Sequence, residues 1–458
     1  MSVPKIQSLG NNYTFEWEQE QVWARVERVY QHTRGEVSAE VMFRATVTDP
    51  SSLLHHSMCS NLLGVRSRTP IAKDCAMKDP RMDEAAWLGM VEMCFEYVVT
   101  ASRVGEPAEL LVDVAIDLTD DYLLYPLLYQ GHITVLFGLG GTLKSTITAW
   151  LANRVALGVS GDAQNVCILD WESTAQAWAR RLREVAIGMG DPEPAPNITY
   201  RRMTQPIADD IEAVYRIGSE RNIGFWIIDS GMWACGGRPE EAEHAMRMFR
   251  AIRALGGTCL IIAHQNSDEN TKRPYGNVMW VNAPRSVVQV QKSQLTIADN
   301  QVVVGLTQRK VNYGKQFKPL GYEATFTQAN EFGYTDGDAV AIQPTNPLDD
   351  EELAMNVGLT QRVQHALRRG RKSKAELAEL LDIDGSKLKS LYSTVDRMAR
   401  SGSLERVGNN EYALPTGTFG GPDLRGNSVS QSDEGIPLDQ ATAQETHVSQ
   451  EYPPTEET

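Results

Sequence analysis

Five short apolar stretches most constrain what this chain can fold into: "HITVLFG", "NVCILDWE", "IGFWIIDS", "TCLIIAH" and "QVVVGLTQRK", all between residues 132 and 310. Each is rich in Val, Ile or Leu and lacks the strict apolar/polar alternation of a strand with one wet face. Such runs, separated by helical stretches, indicate strands buried on both faces of a mostly parallel sheet. "EHAMRMFRAIRALG" is one such crossover helix, stopped by Gly256 and Gly257. The fold class is therefore α/β.

The first run leads into "FGLGGTLKST", Phe137 to Thr146. A strand enters it and the helical stretch "STITAWLANRVALG" leaves it, the context in which a glycine-rich loop is credible as a phosphate cradle. Gly138, Gly140 and Gly141 free the backbone to turn N–H groups toward phosphate oxygens, and Thr142 and Thr146 flank the turn. The following helix start adds its positive dipole end. Lys144 would neutralise β/γ-phosphate charge, and Ser145 would ligate magnesium. Leu143 stands where the pattern G-x-x-x-x-G-K-[ST] has its second glycine. Its backbone must sit at negative φ or tolerate mild strain. Taken alone, the loop also fits a plain glycine-rich βα turn.

Three further runs end in polar residues, on the side of an open α/β sheet where ligands bind. "VCILDWE" ends in Asp170, Trp171 and Glu172, with Glu172 placed to activate a water. A helix N-terminal acid is the plainer reading of Glu172. "FWIIDS" ends in Asp229, which suits magnesium held directly or through water. "CLIIAHQ" ends in His264, able to sense a γ-phosphate by hydrogen bonding or to sit as a capped surface histidine.

Outside this block, residues 1–110 read as an N-terminal α+β accessory domain. "SAEVMFRATV" alternates like a strand, and "DEAAWLGMVEMCFEYVVTASRVG" has helical spacing up to a stop at Gly105. His55 and His56 have no partners at metal-ligand spacing. Residues 111–332 are the α/β core and 333–356 a linker. Residues 357–414 carry three helices and a hairpin, the pattern of a winged helix-turn-helix, with a Ser373/Glu376 capping box. Its third helix offers Lys387, Lys389, Arg397 and Arg400 for phosphate contact, although such modules also mediate protein assembly. Residues 415–458 read as a disordered acidic tail.

The formal net charge of −15 is unevenly spread. The stretch from Leu359 to Leu414 has eleven basic and seven acidic residues, whereas the tail has eight acidic and one basic. An acidic total therefore does not exclude nucleic acid. Six scattered cysteines argue for reduced thiols and a cytoplasmic protein, and no apolar run is long enough for a membrane span.

The ordered set of motifs resembles the RecA-like ATPases of the RepA/DnaB type, the hexameric replicative helicases of plasmids and phages. It is most similar to the RepA-like branch of phages and mobile elements. "GLGGTLKS" resembles that branch's phosphate loop, which tolerates residues other than glycine before the lysine. "LDWESTAQAWARRL" resembles its block of a catalytic glutamate and a following arginine, here Glu172 and Arg181. "IIDS" matches the Walker B strand. "AHQNSDENTKRPYGNVMWVNAPRSV" resembles its sensor histidine followed by an arginine element, and "TQRKVNYG" its basic segment. The resemblance covers roughly residues 110–330. It implies ATP and Mg2+ as cofactors and a homo-oligomeric, hexameric ring with ATP between subunits. Arg285 is then the arginine that reaches the neighbour's γ-phosphate, with Arg309 and Lys310 as further trans-acting candidates. Read alone, Arg285 also suits an ordinary surface ion pair.

The expected function is an ATP-hydrolysing motor, a DNA helicase of replication that translocates on single-stranded DNA. Contacts to duplex DNA through the winged helix and to replication proteins go with it. The alternative is an ATP-dependent DNA-binding initiator or regulator whose ATPase serves as an assembly switch.

Overall fold

The computed structural model describes residues 2–33, 35–46, 50–104, 110–112, 122–159, 161–266, 272–293, 299–327, 338–355, 357–408 and 410–415. The stop at Gly105 and all but the first residue of the acidic tail lie outside the described residues.

The chain opens with an antiparallel meander of five strands, β1 (Lys5–Leu9), β2 (Asn12–Trp17), β3 (Val22–Gln31), β4 (Val37–Arg44) and β5 (Leu53–Asn61). Period-two burial in β4 turns Val37, Ala39, Val41 and Phe43 to one face. Two helices, α1 (Val65–Lys78) and α2 (Glu84–Val104), close that core with Trp87, Phe95 and Val98. His55 and His56 pair with Asp74 at 2.8 Å and Glu40 at 2.7 Å.

A small hairpin, β6 (Tyr122–Leu124) and β7 (Leu128–Tyr129), precedes the central sheet. Its strands are β8 (Ile133–Gly138), β9 (Asn165–Asp170), β10 (Ile198–Arg202), β11 (Ile223–Asp229), β12 (Thr258–His264), β13 (Ser286–Lys292), β14 (Gln301–Val311), β15 (Leu320–Thr327) and β16 (Ala339–Thr345). They lie in the order β10-β9-β11-β12-β8-β13-β14-β15-β16. Pairing is parallel from β10 to β13 and antiparallel from β13 to β16, so the sheet is mostly parallel.

The helices between these strands are α3 (Lys144–Ala156), α4 (Ala175–Met189), α5 (Ile211–Arg221), α6 (Gly231–Cys235), α7 (Ala242–Ala254) and α8 (Met279–Asn282). Alternate residues of β8 serve opposite cores. Leu136 packs with Trp150 and Leu151 of α3 and Trp178 of α4. Val135 and Phe137 join the core that holds Met248, Phe249 and Ile252 of α7. Both faces are covered, which explains why the strands read as unbroken apolar runs.

The five-stranded meander docks on α5. Arg216 of α5 donates to both carboxylate oxygens of Glu27, at 3.0 and 2.6 Å, and Glu27 is only 4% exposed. Arg25 joins the pair and reaches Glu220 at 2.7 Å.

The segment 333–356, read above as a linker, is corrected by the structure: Ala339–Thr345 is the edge strand β16, and α9 (Glu351–Ala354) follows it. Val340 and Ile342 are buried at 5% and 7% exposure. Pro344 is tolerated because β16 has a partner on one side only. Flanking Asp, Gly, Pro and Asn residues hid this short strand.

The last described segment has α10 (Leu359–Arg368), α11 (Lys374–Leu380) and α12 (Gly385–Arg400), with β17 (Lys372–Ser373), β18 (Glu405–Val407) and β19 (Glu411–Ala413) in a three-stranded sheet. Ser373 and Glu376 form the reciprocal cap of α11. Among the described residues, no helix is long and apolar enough to cross a membrane.

Candidate active site

The chain leaves β8, passes over α3 and re-enters the sheet at β9, two strands beyond β12. This reversal opens a crevice at the carboxyl ends of the parallel strands, where open α/β sheets bind ligands. The glycine-rich loop, Glu172, Asp229 and His264 all lie at that end.

Backbone constraints explain the loop's composition. A Cβ on Gly138 would lie 2.4 Å from the Val290 carbonyl oxygen, so strand β13 demands glycine there. Gly141 has φ +73 and opens onto free space, as Gly140 does. A cradle for phosphate needs this open, side-chain-free concavity. The Thr142 hydroxyl donates to the Leu139 carbonyl at 2.9 Å, and Thr146 lies in the first turn of α3. Lys144 is 7% exposed, and its ammonium donates to the carbonyls of Gly138 at 3.0 Å and Leu139 at 2.6 Å. Burial lowers its pKa, against the raising influence of Asp229 and Glu172.

Leu143 takes the strained alternative, not the negative φ. It has φ 62 and ψ 21, in the left-handed region. For a residue with a Cβ this costs roughly 1–2 kcal/mol. Its side chain packs partly buried against the core beside α3, and its carbonyl accepts from Ile147 N at 2.9 Å to start the helix.

The acids have separate tasks. Asp170 is fully buried and accepts from the backbone N–H groups of Glu172 at 3.0 Å and Ser173 at 3.1 Å, and from the Tyr200 hydroxyl at 2.8 Å. It is the anchor of the turn, which leaves the Glu172 carboxylate to face the crevice. His264 Nε2 lies 3.8 Å from Glu172 Oε1, and the Ser230 hydroxyl donates to the same oxygen. His264 and then Ser230 hold the Glu172 pKa below the usual carboxylate value, against burial. Asp229 is within 3.4 Å of the Ser145 hydroxyl. Its carboxyl is pushed up to about 6 by burial and by the charges of Glu172 and Asp170, with Arg181 and Ser145 opposing. Arg181, on α4, rests its guanidinium 5.1 Å from the Trp178 ring.

These donors fit magnesium bound to a nucleotide. Among the described residues, no three His, Cys, Asp or Glu side chains form a cage that could hold a metal by themselves. Magnesium bound through one or two protein oxygens needs phosphate oxygens and water for the rest of its octahedron, and Ser145 with Asp229 supplies that partial set.

The remaining candidates lie elsewhere. Arg285 N bonds to the Ile133 carbonyl at 2.9 Å, which places it at the opposite end of β8, about 16 Å from the loop at the usual rise per residue. There it lies 5.7 Å from the Tyr313 ring. Lys310 is at the same far end, donating to the Asn282 carbonyl at 3.2 Å. Burial, then Arg285 and Arg253, lower its pKa. Arg309 occupies a bulge in β14 and turns toward the loop end. It donates to Gln289 at 2.7 Å, and Gln289 donates to Gln265 at 2.8 Å.

Residues 117–270 match the family model described as an AAA domain, so the loop, both acid-bearing strands and His264 fall within the match. This segment is therefore similar to an AAA domain. Arg285, Arg309 and Lys310 lie beyond the matched residues of that domain. A KaiC-like protein from the hyperthermophilic archaeon Pyrococcus horikoshii OT3 is 13% identical, with a TM-score of 0.36 over 50% of this chain and 100% of its own. No curated protein matches the chain.

Two features of this region were not anticipated from sequence. Ser230 contacts Glu172, and nothing in "IIDS" singles that serine out. Beside the site lies a cleft of about 880 Å³, lined by Trp171, Trp233, Arg238 and Tyr275 among others. Trp233 is 61% exposed, an unusual display of indole that single-residue patterning does not reveal.

Proposed function

We propose that the chain is an ATP-hydrolysing motor that works on DNA as a homo-oligomeric ring, a helicase of the replicative type. The observation that carries the reading is the meeting of Lys144, Ser145, Asp229, Glu172 and His264 at one end of the sheet. Bound there, Mg2+ would neutralise phosphate charge. Lys144 would exchange its two loop carbonyls for β/γ-phosphate oxygens. Glu172, ionised at neutral pH, would take a proton from the attacking water, and His264 would read the γ-phosphate.

Arg285 and Lys310 are too far from this loop to act on the same protomer's nucleotide. In a ring with head-to-tail contacts they would face the neighbour's loop. Trp171 and Trp233 in the cleft beside the site offer faces on which unpaired bases could stack, which supports a single-stranded track. The basic surface of α12 would contact phosphates of duplex DNA, as the third helix of a winged helix does.

The test is strand displacement with ATP, using the intact chain and Glu172→Gln. Unwinding is expected for the intact chain. The variant should keep ATP binding and lose hydrolysis by about two to three orders of magnitude, within the range for a general base. ATP-dependent duplex binding without unwinding by the intact chain would instead support the assembly-switch reading.

A further inference from the structure

We propose that Ser230 is the positioning residue for Glu172: its hydroxyl fixes one carboxylate oxygen and leaves the other to meet water. The proposal rests on Glu172 as the base of the ATPase reaction. Ser230 is the residue before α6 and has the extended backbone typical of a helix cap, φ −114 and ψ 159. A serine there ordinarily turns its hydroxyl onto the first free N–H groups of the helix. Ser230 makes no such bond. Its side chain points away from the helix and donates to Glu172 Oε1 across the gap between β11 and β9.

The arrangement has no slack. Ser230 is 1% exposed, so water does not compete for its hydroxyl. The turn that bears Glu172 is held by Asp170 through the Glu172 and Ser173 N–H groups. Backbone and carboxylate of Glu172 are thus restrained from two sides. His264 Nε2, 3.8 Å from the same oxygen, is beyond hydrogen-bond length and does not fix its direction. A neutral hydroxyl bonded to a carboxylate makes a charge-assisted hydrogen bond, the stronger kind. Ser230 also follows Asp229 directly, and Asp229 approaches the Ser145 hydroxyl at 3.4 Å. One strand end thereby ties the magnesium-side acid and the base to a common frame, so that the water-activating oxygen keeps its distance from the phosphate cradle.

The experiment uses the full chain and steady-state ATPase kinetics with Ser230→Ala and Ser230→Cys. Ser230→Ala is expected to lower kcat about tenfold with KM for ATP within about twofold, because the base loses its aim while the cradle is untouched. Ser230→Cys keeps a weak donor and should fall between, and it decides the matter if the alanine variant does not fold. In single-turnover measurements on Glu172→Gln, adding Ser230→Ala should change the residual rate less than about twofold, since residues that act through one another are non-additive. Unchanged kcat in a folded Ser230 variant overturns the proposal, and so does an undiminished effect in the Glu172→Gln background. If Glu172→Gln hydrolyses ATP like the unaltered chain, the ATPase reading itself fails. If that variant is inactive and Ser230 variants are normal, only the positioning role fails.

Discussion

The two ends of the parallel strands have opposite character. At the carboxyl end, Glu172, Asp170 and Asp229 crowd together, and the nearest ammonium, Lys144, is tied to loop carbonyls. At the amino end, Arg253, Arg285 and Lys310 gather, close enough that the two arginines depress the Lys310 pKa. Each end is unbalanced alone. An acidic end suits magnesium and a nucleophilic water, while transition-state charge on a transferring phosphoryl group needs further cations. The difference teaches that Glu172, Asp229 and the glycine loop, with Arg181 and Arg309 nearby, share one end, while Arg253, Arg285 and Lys310 share the other. In the proposed ring, head-to-tail association would join them.

Four changes would break or sharpen this contrast. Lys144→Ala removes the only lysine at the loop and should lower ATP hydrolysis at least a thousandfold, read in a phosphate-release assay, as loss of cradle charge demands. Normal hydrolysis by that variant removes the site itself. Arg285→Ala, at the far end, should lower kcat about a hundredfold while nucleotide binding persists. Mixing it with Lys144→Ala protomers should restore part of the activity, because one supplies the cradle and the other the arginine. No recovery in mixed assemblies, or a normal rate for Arg285→Ala, returns Arg285 to an ordinary surface role.

The third change concerns pH. The Asp229 carboxyl is raised from 3.8 to about 6, so the folded chain holds that proton more tightly than the unfolded one. Magnesium-free stability should therefore fall as pH rises from about 4 to 6, by roughly 2 kcal/mol. Denaturant unfolding measures this, and Asp229→Asn should flatten the slope. Below about pH 6, protonation of Asp229 should also weaken magnesium-dependent nucleotide binding. The smallest effect belongs to Leu143→Gly. Relief of the left-handed backbone should stabilise by about 1 kcal/mol, offset in part by lost side-chain packing, with ATPase activity retained. A clear loss of stability in thermal unfolding would show that Leu143 packing outweighs its backbone strain.

Much of the central fold was legible because burial on two faces leaves a plain mark. "HITVLFG", "NVCILDWE", "IGFWIIDS" and "TCLIIAH" became β8, β9, β11 and β12 within a residue or two. "QVVVGLTQRK" became β14, but its antiparallel pairing was not readable, since strand direction depends on where the chain returns. β16 was missed because a short edge strand buries only Val340 and Ile342. The residues of the loop and the strand-end acids were visible as residue types at strand ends. The division of labour between Asp170 and Glu172 was not, because two acids separated by one residue look alike until hydrogen bonds assign them.

By itself the sequence determined the alternation of strands and helices, the glycine loop and the polar strand ends, because these depend on local periodicity and backbone freedom. Only the tertiary structure decided that β12 lies between β8 and β11, that Leu143 takes a positive φ, and that Ser230 serves Glu172 in place of its helix. It alone separated Arg285 from the loop by the length of a strand. The physical reason is common to all four: each depends on contacts between residues far apart in sequence, which set the direction of a hydroxyl, the cost of a dihedral and the distance between charges.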